Sequence, residues 1–64
     1  MMIRVRDNTG ILWLINVMQC TFREIETEGQ LYIYTPRETI RALVTMERVA
    51  EALSRGRPFY DLSQ

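Results

Sequence analysis

Glu24, Glu26 and Glu28 alternate along one short stretch, so on a strand they would share a face. Oxygen-only clusters of this kind suit a hard cation such as calcium or magnesium. A solvated edge strand explains the same spacing without a ligand and is the preferred reading, because charges along an exposed edge discourage pairing with other chains. Cys20 is the only thiol, and no base stands near it in sequence to ionise it. It reads as a small hydrophobe, buried or half-buried. The chain has no histidine, which removes Ser–His and Cys–His pairs and the usual zinc ligand sets. Gly10, Gly29 and Gly56 are the only glycines, and they form neither a dinucleotide fingerprint nor a phosphate loop. The residue types argue against catalysis by this chain, and no cofactor or metal is expected.

Size restricts what can position any site. Sixty-four residues make one domain. A chain this short buries only about 60% of its unfolded surface. A lone cysteine cannot form an intrachain disulfide, so stability must come from good packing or self-association. Apolar residues make up 47% of the chain, enough for a folded core. All eight basic residues are arginine, and eight acids balance them to a net charge of zero. Before Thr35, Arg4, Arg6 and Arg23 face four acids; after it, five arginines face four more, so neither half is a basic arm. The longest apolar run, ILWLINVM, is broken by Asn16 and is too short to span a bilayer. MMIRVRDNTG carries no apolar leader. With one unpaired cysteine, a reducing, cytoplasmic location is expected.

Periodicity assigns the elements. Residues 2–6 alternate, with Ile3 and Val5 on one face and Met2, Arg4 and Arg6 on the other, which predicts a strand. Turn formers at Asp7–Gly10 lead to a second strand over 11–17 that is apolar on both faces. Residues 20–26 and 30–34 read as a second hairpin turning around Thr27 to Gln30, with Gly29 free to take positive φ. Its first strand is the weaker, because the apolar alternation fails after Phe22.

Thr35-Pro36-Arg37-Glu38 carries three helix-start signals: a capping threonine, a proline suited to the first helical position, and a glutamate where a capping box places it. At about 100° per residue, Leu43, Met46, Val49, Ala50 and Leu53 form an apolar stripe. Gly56 suits the residue after the helix, with Arg55 in the last turn and Pro58 beyond. One helix over about 36–55 is expected on these signals. In the alternative, ETIRALV is a further strand and Thr45 caps a shorter helix, MERVAEAL; Thr39, Ile40, Val44 and Thr45 permit it. That layout resembles LytTR-type and flagellar FlbD-type domains, where strands lead into a short C-terminal helix, through hydrophobic spacing over about half the chain. The cap at Thr35 favours the long helix.

The expected fold is therefore α+β: a small antiparallel sheet of 3–4 strands built from hairpins, with one C-terminal amphipathic helix on one face, in the order β-β-β-(β)-α. Ile3, Val5, Leu31 and Ile33 would pack against the helix. The opposite face would carry Tyr32, Tyr34, Arg4 and Arg6, with either Trp13 or the pair Leu12 and Leu14. One helix cannot cover both faces, so an apolar surface is left over.

Two surfaces follow. Trp13, Tyr32 and Tyr34, joined by Phe59 and Tyr60 from the tail 57–64, are the candidate protein interface, since aromatic residues anchor interfaces. Arg37, Arg41, Arg48 and Arg55 would line a ridge on the long helix, and with Arg4 and Arg6 they are the candidate contacts for an anion or acidic partner. Helix-compatible ion pairs with Glu38 and Glu51 account for the ridge without a ligand. The tail is expected to fold back on the core, or else to dock on a neighbour. The expected function is a small non-enzymatic protein-binding module, an adaptor, inhibitor or regulator, acting as a homodimer. The alternative is a nucleic-acid binder that stacks bases on Tyr32 and Tyr34, with Arg4 and Arg6 on phosphate.

Overall fold

The computed structural model describes residues 1–26 and 29–64. The turn expected at Thr27–Gln30 lies partly outside the described residues, as does Glu28. The protein is α+β, and the described residues form two three-stranded sheets and one α-helix. β1 is Met2–Arg6 and β2 is Leu12–Asn16. A short 3-10 turn, Val17–Gln19, leads into β3, Thr21–Glu24. β4 is Leu31–Tyr34, β5 is Thr39–Ala42, α1 is Met46–Arg55 and β6 is Phe59–Asp61. The first sheet has the order β2-β1-β6 and the second β3-β4-β5.

β1 is the hub. One edge pairs with β2 in an antiparallel hairpin, Ile3 opposite Ile15 and Val5 opposite Trp13. Its other edge is shared. The first half takes β6 in parallel, with Met2 N–H donating to Pro58 O and Leu62 N–H to Arg4 O. The second half takes the end of β5, through an Asp7–Ala42 bridge, Asn8 N–H to Arg41 O and Leu43 N–H to Arg6 O. One strand therefore stitches both sheets, and they fold over a common core. Ile3, Val5, Leu31 and Ile33, the four residues expected to face inward, are completely buried. Each contributes about 1.5–3 kcal/mol by leaving water. Ile40, Val44, Val49 and Leu62 complete the centre.

The single sheet with a helix over 36–55 is corrected. The chain follows the alternative: β5 occupies 39–42 and α1 begins at Met46 behind Thr45, whose Oγ1 accepts from Arg48 N–H at 3.1 Å. The cap-like signal at Thr35 is genuine, but it closes a hairpin. Thr35 Oγ1 accepts from Glu38 N–H at 2.9 Å and Arg37 N–H at 3.3 Å, while Thr35 N–H donates to Glu38 O at 2.8 Å. A threonine hydroxyl folded onto the next backbone N–H groups serves a turn and a helix cap alike, and Pro36 fits the turn's second position equally well. The register with β4 decides between them. Ile40 lies opposite Ile33 and Ala42 opposite Leu31, so inward residues alternate as a strand requires. The apolar stripe is corrected too: α1 buries Val49 and Ala52, and Ala50, Leu43 and Leu53 are exposed. Gly56 ends α1 in the left-handed region at φ 69°, as its position suggested.

The tail folds back. Phe59–Asp61 forms β6, and Leu62 is buried in the core. No helix among the described residues is long and apolar enough to cross a membrane. Two substitutions test this architecture in denaturant titrations. Thr45→Ala should cost about 1 kcal/mol by uncapping α1, and Ile33→Ala about 2–5 kcal/mol by opening the centre of the core. A neutral Thr45→Ala would contradict the short helix.

Candidate functional site

The site is best built from Asp7, which ends β1 on the inner face. Its residue exposure is 7%, and its carboxylate makes no ion pair among the described residues. Instead it accepts from neutral donors: Oδ1 from Thr9 N–H at 2.8 Å, Thr9 Oγ1 at 2.7 Å and Ile11 N–H at 3.0 Å, and Oδ2 from Trp13 Nε1 at 2.8 Å. Bonds from Trp13 and then Thr9 hold the carboxyl well below the usual carboxylate range. Gly10 makes the turn possible at φ 92°, and its carbonyl accepts from Arg6 Nη1 at 2.9 Å.

The indole bond settles the parity of β2. With Trp13 drawn inward beside Val5, Leu12 and Leu14 point outward, opposite Arg6 and Arg4. Phe59 joins them from β6, since it lies in register with Met2. Leu12 is 44% exposed, Leu14 60% and Phe59 48%. Between them Arg4 Nη2 donates to Asp61 Oδ2, and Asp61 Oδ1 accepts from Ser63 N–H and Oγ. Arg4, and next Ser63, hold the Asp61 carboxyl well below its ordinary range. The charges on this face are thus already partnered, and the large side chains around them are apolar.

The expected aromatic interface is split. Trp13 and Tyr60 pack against the core, and the Tyr60 hydroxyl is buried without a hydrogen-bond partner among the described residues. Phe59 lies on the outer face of the first sheet. Tyr32 and Tyr34 stand together on the outer face of the second, with ring centroids 6.2 Å apart. Arg4 and Arg6 belong to the first sheet and do not accompany the tyrosines. Arg23 and Arg41 do, because the register places them on either side of Tyr32. Arg23 Nη1 donates to Tyr34 Oη at 3.2 Å and Arg41 Nε to Gln30 Oε1 at 2.7 Å. Arg23 was missed because its place beside Tyr32 depends on strand order.

The arginine ridge dissolves with the long helix. Arg37 lies in the β4–β5 turn and Arg41 in β5. On α1, Arg48 donates to Gln64 O at 2.6 Å, and Arg55 pairs with Glu51 at 2.7 Å. Leu12 and Leu14, the functional candidates not singled out as anchors, carried a visible signal in the double-faced apolar run, but either face could have been outward.

Two clefts lie on the surface. One, of about 300 Å³, lies between β2 and the β4–β5 turn and is lined by Trp13, Leu14, Cys20, Pro36 and Arg37. The Cys20 thiol donates to Asn16 O at 3.2 Å, and burial pushes its pKa up, so it is a poor nucleophile. The other, of about 230 Å³, lies between α1 and β6 beside Arg48, Glu51 and Tyr60. Glu24 and Glu26 are exposed, and no group of three metal-ligating side chains occurs among the described residues.

Asp7 and Asp61 both have carboxyls depressed by folding, so their stabilisation is complete above the unfolded value of about 3.9 and is lost as pH falls through the lower folded values. The thermal midpoint should therefore drop between about pH 5 and pH 2. Asp7→Asn should flatten that drop and shift Trp13 fluorescence at neutral pH, because an amide has one accepting oxygen and an NH2 that only donates. An unchanged acid profile in Asp7→Asn would contradict this assignment.

No protein-family model matches this chain, nor does any curated protein or solved structure.

Proposed function

We propose that this chain is a small, non-enzymatic protein-binding module of the cytoplasm, an adaptor, inhibitor or regulator that acts by covering a partner protein's surface, and that it works as a homodimer. The observation that carries this is the outward placement of Leu12, Leu14 and Phe59 on one face of the first sheet. The core and the rest of the domain occupy that sheet's other face. Large apolar side chains gathered on an open face mark an interaction site, since each square ångström withdrawn from water contributes about 25 cal/mol. The Arg4–Asp61 pair at the centre of the patch is suited to burial against a partner, because its carboxylate already has donors.

A second reading has its own support. The row Arg23–Tyr32–Arg41, with Tyr34 alongside, is an aromatic and cationic strip of the kind that stacks single-stranded bases. It differs from the sequence expectation in its arginines, and the neutral chain weighs against it.

Light scattering tests the first reading. The mass should be twice the 7.6 kDa of one chain, and a Leu12→Ser, Leu14→Ser, Phe59→Ser variant should halve it with an unchanged far-UV spectrum. A wild-type monomer at high concentration would contradict the homodimer. Anisotropy of a labelled single-stranded oligonucleotide tests the second. The protein-binding reading expects no saturable binding at moderate salt. Binding that weakens steeply with salt and vanishes in Tyr32→Ala, Tyr34→Ala would establish the alternative instead.

A further inference from the structure

β2 closes the first sheet on one side, and its far edge pairs with no other strand among the described residues. The hydrogen-bond phase shows which backbone groups face out. Asp7 N–H donates to Ile11 O and Val17 N–H to Met1 O, so odd positions of β2 bond to β1. Leu12 and Leu14 therefore present their N–H and C=O groups at the open edge. Asn16 does not extend this edge freely: its carbonyl accepts from Cys20 Sγ and its side chain accepts from Met18 N–H.

The sheet ends differ in how they are protected. β3 carries Arg23 and Glu24, with Glu26 just beyond. β6 is three residues long, follows Pro58 and includes Asp61. Short length, proline and charge are the devices that block edge-to-edge pairing. β2, Leu-Trp-Leu-Ile-Asn, has none of them.

We infer that β2 pairs with β2 of a second copy, antiparallel about a twofold axis centred near Trp13. Leu12 then exchanges backbone hydrogen bonds with Leu14 of the other copy, and the reverse. Charge favours a second copy as the occupant. Neither strand carries a charge, so no like charges meet across the axis, and each leucine meets a leucine. On the neighbouring β1, Arg4 is held by Asp61 and Arg6 by Gly10 O. A charged strand would set its charges against leucines. The product is a continuous sheet, β6-β1-β2-β2-β1-β6, with the outer faces of both copies on the same side. Resting on the protein-binding reading above, the dimer joins two small apolar patches into one surface for a partner protein.

Sedimentation velocity and amide exchange on three proteins test this. The wild type should be a dimer in which Leu12 and Leu14 amides exchange at least about tenfold more slowly than on dilution to monomer. Leu14→Lys, an outward change at the edge, should give a folded monomer. Phe59→Lys, on the far strand of the same face, should remain dimeric. A dimer lost in Phe59→Lys, with fast Leu12 and Leu14 amides in the wild type, would overturn the edge pairing and leave the outer-face reading standing. A wild-type monomer at millimolar concentration would overturn both the edge pairing and the homodimer.

Discussion

The Asp7 carboxylate fixes the corner on which the rest of the molecule depends. It sits at the end of the hub strand, where the β1–β2 hairpin turns and where the end of β5 arrives. A buried carboxylate without an ion pair is tolerated only when its lone pairs are filled, and here four donors fill them. Three of those bonds shape the turn. The fourth reaches across the hairpin to the Trp13 indole and draws that ring toward the core.

That last bond links packing to surface. Side chains in a strand alternate, so a tryptophan held inward forces its neighbours outward. Leu12 and Leu14 are exposed because Trp13 is not free to be. β6 then lies along the other side of β1 and adds Phe59 to the same face, while its Asp61 neutralises Arg4. A chain too small to cover both faces of its sheets thus spends its helix and second sheet on one side and leaves an apolar surface on the other.

Much of this was legible in the residues, and what escaped has physical causes. The first hairpin and the inward set Ile3, Val5, Leu31 and Ile33 follow from strict alternation, which only a strand with one buried face produces. The C-terminal cap at Gly56 follows from glycine's access to positive φ. Thr35 misled because a hydroxyl bonded to nearby N–H groups looks the same at a turn as at a helix start; only pairing with β4 distinguishes them. With the long helix went the arginine ridge, whose alignment existed only at helical spacing. The choice between Trp13 and its leucine neighbours was open in sequence, since Asp7 and Trp13 become partners only after the hairpin folds. Arg23 and Arg41 met across Tyr32 through strand order, which local periodicity does not encode.

The central claim is that Asp7 turns Trp13 inward and so makes Leu12 and Leu14 the contact surface. Isotope-filtered nuclear Overhauser spectra on a mixture of labelled and unlabelled protein address it directly. The account predicts contacts between copies from the Leu12 and Leu14 methyl groups, while the Trp13 indole N–H keeps its contact with Asp7 of its own chain. Contacts between copies at the Trp13 ring, with none at the leucines, would contradict it.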